Sequence, residues 1–136
     1  MTLAFCFIWR HNMKKIDIPA FGEGQQIWFN IGRLRRVEEM LKCPIGSVLQ
    51  DADKLSLKNL LVLLGVGMSQ NGNKSEQYYA EKIDKALEDG YSIVDIQLPV
   101  IQAVAASGLL GKGAYYQLFP DELTEEAKEA IAKEKN

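Results

Sequence analysis

Imidazole and thiol side chains are few in this chain: one histidine, His11, and two cysteines, Cys6 and Cys43. Structural zinc takes four ligands, with cysteines or histidines at short, regular spacings. Cys6 and Cys43 have no CxxC spacing and no second histidine to join them, so the default reading is two reduced thiols in a cytoplasm. His11 reads as a solvated N-terminal residue. Asp51 and Asp53 alternate as in the opening of a calcium loop, but "DADK" lacks the remaining ligands, and a solvated loop is expected. Glu38 and Glu39 are adjacent, so on a helix they diverge and cannot work as a facing acid–base pair. Arg35 and Glu39 are spaced for a helix-surface ion pair, and Asp84 and Glu88 for a weak repulsion.

Nucleotide and nucleophile motifs are missing as well. "GEGQQI" and "GVGMSQ" lack the third glycine of a dinucleotide fingerprint, and the second lies at the end of an apolar helix instead of after a strand. "GKG" at 111–113 has neither the upstream glycine nor the hydroxyl residue of a phosphate loop. Neither a GxSxG elbow nor an HExxH pair occurs. The expectation is a non-enzyme with no cofactor and no metal.

One basic cluster remains, "RLRR" at Arg33–Arg36. A helix can meet DNA phosphates with its N-terminal turn, so a small helical DNA-binding regulator is one reading. Against it stand Glu38, Glu39 and a formal net charge of −2, where a dedicated nucleic-acid binder would carry a basic face. A solvated helix face, or an arginine anchoring a protein interface, fits better, with no nucleic acid as partner.

The elements that would position these residues follow from periodicity. With 136 residues, 47% hydrophobic and 25% charged, the chain reads as one soluble globular domain. "TLAFCFIW" is too short to cross a bilayer, which takes about 20 apolar residues. It also lacks the flanks of a signal peptide, so no membrane is expected and a strand is plausible. "KKIDIP" and "QQIWF" alternate around a glycine turn, giving a β-hairpin over 13–30. Asn30 then caps a helix whose Ile31, Leu34, Val37 and Leu41 face the core, ended by Pro44. Residues 49–54 read as turn and loop. Ser56 caps "LKNLLVLLGVGMSQ", apolar on nearly all sides and hence the central helix. Ser75 caps a third helix that Gly90 ends. "SIVD" gives a short turn before a main helix starting near Pro99. "GLLGKGAYYQLFP" reads as a glycine-punctuated loop, and 121–136 as a peripheral charged helix. The fold class is therefore mainly α (α+β): an N-terminal β-hairpin, a compact bundle of four to five helices with its core over 31–113, and a charged tail.

The order of these features resembles the tail assembly chaperones of long-tailed bacteriophages. Phe29, Gly32, Leu34, Val37, Glu38, Leu41 and Pro44 match the pattern that this family commonly shows after its hairpin. "SLKNLLVLLGVGM" and "LEDGYSIVDIQLPVIQAVAASGLLGK" resemble its later helices, and the likeness spans roughly residues 14 to 113. Lys42-Cys43 stands where a glycine is more usual. The resemblance implies a chaperone that binds the tape measure protein and recruits tail tube subunits in the host cytoplasm, absent from the mature virion. A structural tail-completion protein is a further alternative, and self-association is open. Contact residues expected for the partner are Arg33, Arg36, Tyr78, Tyr79, Leu110, Tyr115 and Tyr116, since tyrosine and arginine are enriched at such surfaces.

Two expectations concern the gene. Trp9-Arg10 can be encoded TGG-AGG, which contains a ribosome-binding sequence, so Met13 reads as a candidate natural start and residues 1–12 as an extension. Phages of this type often make a longer chaperone by ribosomal slippage, and Glu134-Lys135-Asn136 can be encoded on a slippery A-AAA-AAC. A solvated C-terminal helix with a coincidental codon is the simpler reading of that tail.

Overall fold

The computed structural model describes residues 14–49, 55–122 and 125–135; the expected extension over 1–12 and the Asp51–Asp53 loop lie outside them. The hairpin is present. β1 (Ile16–Asp17) pairs antiparallel with β2 (Gln26–Ile27), Ile16 opposite Ile27 and Asp17 opposite Gln26. Alternation sends Ile16, Ile18, Ile27 and Phe29 into the core, while Gln26 donates to Asp17 across the outer face at 3.1 Å. Pro19 begins a tight 3-10 turn over Pro19–Phe21 between the strands, and its φ suits that position.

Seven helices follow among the described residues. α1 (Ile31–Leu41) is capped by Asn30, whose side chain accepts from the Arg33 N–H at 2.7 Å. Leu34 and Val37 are buried and Leu41 half-buried, but Ile31, expected inward, is 62% exposed. At about 100° per residue, Ile31 lies roughly 90° from the direction those three side chains share. Lys42 ends α1 in the left-handed region at φ 56°, a conformation that favours glycine. Past Pro44 comes α2 (Ile45–Leu49), a short helix whose first N–H donates to the Glu38 carboxylate at 2.9 Å.

α3 (Leu57–Gly67) is the central helix, with Leu60, Val62, Leu63, Leu64 and Val66 buried, and α1, α4 and α5 all pack on it. Ser56 caps it through the Asn59 N–H at 3.1 Å. α4 (Glu76–Glu88) is capped by Ser75 through the Tyr78 N–H, and buries Tyr79, Ile83 and Ala86. It closes on Gly90 at φ 99°, where the Tyr91 N–H returns to the Ala86 carbonyl at 3.0 Å and the Gly90 N–H to Leu87 at 3.2 Å.

α5 (Val94–Ala106) starts a full turn before Pro99, earlier than the proline alone indicates. The Asp95 carboxylate accepts from the Ser92 N–H at 2.9 Å and nucleates that turn. The stretch expected as a loop contains α6 (Gly111–Leu118). Gly108 takes a left-handed bend before it and Gly111 another at its first residue (φ 88° and 86°), and Lys112 to Leu118 continue as a helix. α7 (Glu125–Lys135) is the charged tail, packed on α6. The chain is thus mainly helical with a small N-terminal hairpin.

Gly67 is where hairpin and bundle meet. A Cβ there would stand 2.5 Å from Ile27 Cγ1 and 2.8 Å from Phe29 Cζ, both fully packed core side chains. Gly65, two residues earlier on α3, has nothing within 4 Å of the place a methyl group would take. Gly67→Ala should therefore cost about 1–3 kcal/mol by overpacking, while Gly65→Ala should gain up to about 1 kcal/mol of helix propensity. Urea unfolding of the two variants checks the opposite signs.

Candidate functional site

Arg33 sits three residues after the Asn30 cap, on the edge of α1 that faces the end of α3. Its Nη1 donates towards three acceptors: the Gly67 carbonyl at 2.8 Å, the Gln70 side-chain oxygen at 2.9 Å and the Trp28 carbonyl at 3.2 Å. The guanidinium carbon lies 3.3 Å from the centroid of the Trp28 ring, a stacked cation–π arrangement. The Trp28 N–H donates to the same Gly67 carbonyl at 3.1 Å, and Gln70 donates back to the Gln26 carbonyl at 2.8 Å. The last carbonyls of a helix lack partners within it and carry partial negative charge, so a cation is favoured there. Partial burial, then the neighbouring Arg36 charge, push the Arg33 pKa below its ordinary value.

The other two arginines of the cluster go elsewhere. Arg35 pairs with Glu39 at 3.4 Å on the solvent side, and Arg36 is exposed with no hydrogen bond or ion pair among the described residues. "RLRR" is thus one internal clamp, one surface ion pair and one solvated cation. Only Arg36 presents its charge outward unshared.

The tyrosines separate in the same way. Tyr79 is 1% exposed and belongs to the core, its ring edge-on to Tyr78 at 5.1 Å. Burial first, and Tyr78 second, raise its pKa. Tyr78 is exposed on α4. Leu110 is half-buried against the core. Tyr115 and Tyr116 stack edge-to-face at 5.0 Å on α6, and Tyr115 also leans on Phe119 at 4.7 Å. The Tyr115 hydroxyl donates to Glu122 at 2.6 Å, and Lys14 Nζ pairs with the same carboxylate oxygen at 2.9 Å while standing 4.1 Å from the Phe119 ring centroid. Tyr78–Tyr79 and Tyr115–Tyr116 therefore form two separate pairs, not one patch.

Sequence reasoning does not find Trp28 and Gln70 as partners of Arg33, nor Lys14, Phe119 and Glu122 as partners of Tyr115. Arg33–Gln70 and Lys14–Glu122 join residues 37 and 108 positions apart, which no local pattern encodes, while Trp28 and Glu122 lie only five and seven residues from Arg33 and Tyr115, across an element boundary that helical spacing does not describe. Among the described residues no polar or charged side chain is buried, and no group of three or more His, Cys, Asp or Glu is placed to hold a metal ion. No described helix is long and apolar enough to cross a membrane. No family model, curated protein or solved structure matches the chain.

Arg33→Ala leaves the Gly67 and Trp28 carbonyls without their charged donor and should cost about 1–3 kcal/mol, since hydrogen bonds to charged groups fall in that range. Arg36→Ala should stay within about 0.5 kcal/mol; chemical denaturation compares the two. The Tyr115–Glu122 bond makes stability depend on pH. The Tyr115 hydroxyl above all holds Glu122 below its ordinary pKa; burial opposes it, and Lys14 adds to the lowering. A depressed carboxylate stabilises the fold above its unfolded value of about 4.3, and that contribution is lost as pH falls through the folded value. Burial, followed by the Glu122 bond, raises Tyr115, so its contribution is intact below about pH 10 and is lost as pH rises through the folded value. Tyr115→Phe should flatten both limbs of a melting-temperature profile against pH.

Proposed function

We propose that this chain is a tail assembly chaperone of a long-tailed bacteriophage, which binds the tape measure protein and helps recruit tail tube subunits in the host cytoplasm without entering the mature virion. The observation carrying this reading is the order and spacing of motifs from Phe29 to Pro44, continued by the two later helical segments. A hairpin running into a glycine-bearing first helix, then an apolar central helix, agrees with it.

A chaperone for a long apolar partner needs exposed apolar side chains on an otherwise well-packed body. Ile31 (62%), Met40 (54%), Leu57 (62%) and Val94 (57%) are such side chains, and Leu98 and Leu109 are each 45% exposed. Val94 and Leu98 are one turn apart on α5, on the side away from the buried Ile96 and Val100. Tyr78, Tyr116 and Arg36 remain available as polar-tipped contacts, whereas Tyr79 and Arg33 serve the fold. The DNA-binding alternative is weakened by Arg33 being occupied within the molecule.

Co-expression tests the proposal. The tape measure protein should accumulate in the soluble fraction with this chain and precipitate without it, and Val94→Asp with Leu98→Asp should abolish the rescue while the chain itself stays folded. Equal solubility of the tape measure protein with and without the chain would overturn the reading.

A further inference from the structure

The turn Pro19–Phe21 packs against α4, and an open groove of about 540 Å³ runs beside the contact. Pro19, Ala20, Phe21, Tyr78 and Tyr91 give it apolar and aromatic walls. A second cavity of about 280 Å³ adjoins it, with Tyr78 and Lys82 lining both. The two make one trough along α4, continuing to Gln25 and Asn71.

Charge in the trough is uneven. Lys74, Lys82 and Lys85 line it, and none makes an ion pair among the described residues. Lys82 stands 5.6 Å from the centroid of the Tyr78 ring and 6.0 Å from that of Phe21, and Lys74 stands 5.3 Å from Tyr78. The ring faces hold these ammonium groups at the walls without neutralising them. Of the two carboxylates present, Glu81 accepts from Gln77 at 3.2 Å, and Asp89 lies at the far end with Tyr91. Aromatic walls take large apolar side chains, and unneutralised lysines beside them take carboxylates.

We propose that this trough is a binding site for a peptide segment of a partner protein in which carboxylates alternate with large apolar side chains. An apolar side chain fills the space between Phe21, Tyr78 and Tyr91, and its flanking carboxylates meet Lys82 and Lys74 or Lys85. This site is distinct from the Val94–Leu98 face and holds whether or not the partner is a tape measure protein.

The test is an NMR titration of the full isotope-labelled chain with two synthetic peptides, one alternating Glu with Leu and Phe, the other with Lys in place of every Glu. The acidic peptide should shift the amide signals of Phe21, Tyr78 and Lys82, and its affinity should fall as salt rises. Lys82→Glu with Lys85→Glu should weaken it about tenfold or more and strengthen binding of the Lys peptide; both positions are exposed or half-exposed, and an unchanged melting temperature shows that the fold is kept. Tyr78→Ala should weaken both peptides. Equal affinity of the two peptides for the unaltered protein, shifts confined to other faces, or no binding would each overturn the proposal. Shifts of the same signals on concentrating the protein alone would also overturn it, by making a second copy the occupant.

Discussion

The contact on which the architecture depends is the approach of the hairpin's second strand to the end of the central helix at Gly67. Ile27 and Phe29 occupy the volume that any side chain at 67 would need. That closeness lets the Trp28 N–H reach the Gly67 carbonyl, and it brings Arg33 within bonding distance of both. A strand, the start of α1 and the end of α3 are therefore joined by one set of hydrogen bonds around carbonyls that a helix cannot satisfy itself. The rest is built outward from α3, which carries α1, α4 and α5 on its surface.

Local signals make much of this fold legible. Asn30, Ser56 and Ser75 each cap the helix that their position indicates, and Gly90 closes α4 in the left-handed conformation. These are interactions within three to five residues, so they are written in consecutive letters. The elements that escape a sequence reading share the opposite property. α2 starts where a Glu38 carboxylate, seven residues earlier, meets a free N–H. The glycines around α6 dominate its local pattern and point to a loop, yet Gly108 supplies a bend before the helix, Gly111 one at its first residue, and Gly113 sits inside it at ordinary φ. Glycine marks a conformational freedom, and only tertiary packing decides whether the freedom is used.

The candidate contact residues are legible as residue types and not as roles. "RLRR" indicates a basic surface, but an arginine within reach of the last carbonyl of α3 and a tryptophan ring has a stronger use inside the fold. Tyr79 and Tyr78 are neighbours in sequence with opposite fates, because adjacent positions on a helix are turned about 100° apart and only one of them can face α3. Exposure, the property a partner reads, is set by which neighbours the fold supplies.

Among the described residues the interior is packed with apolar side chains, and Tyr79 is the titratable group that burial perturbs within it. At the surface two kinds of patch differ in chemistry. The outward side of α5 is apolar at Val94 and Leu98, and suits shape-tolerant contact with an apolar helix. The trough on α4 combines aromatic walls with lysines and demands a matching charge pattern. The first kind favours holding, because apolar contact is not directional. The second favours choosing, because a like charge brought to the same place is repelled. The two patches lie on separate elements, α5 and α4, so that an occupant of one leaves the other open.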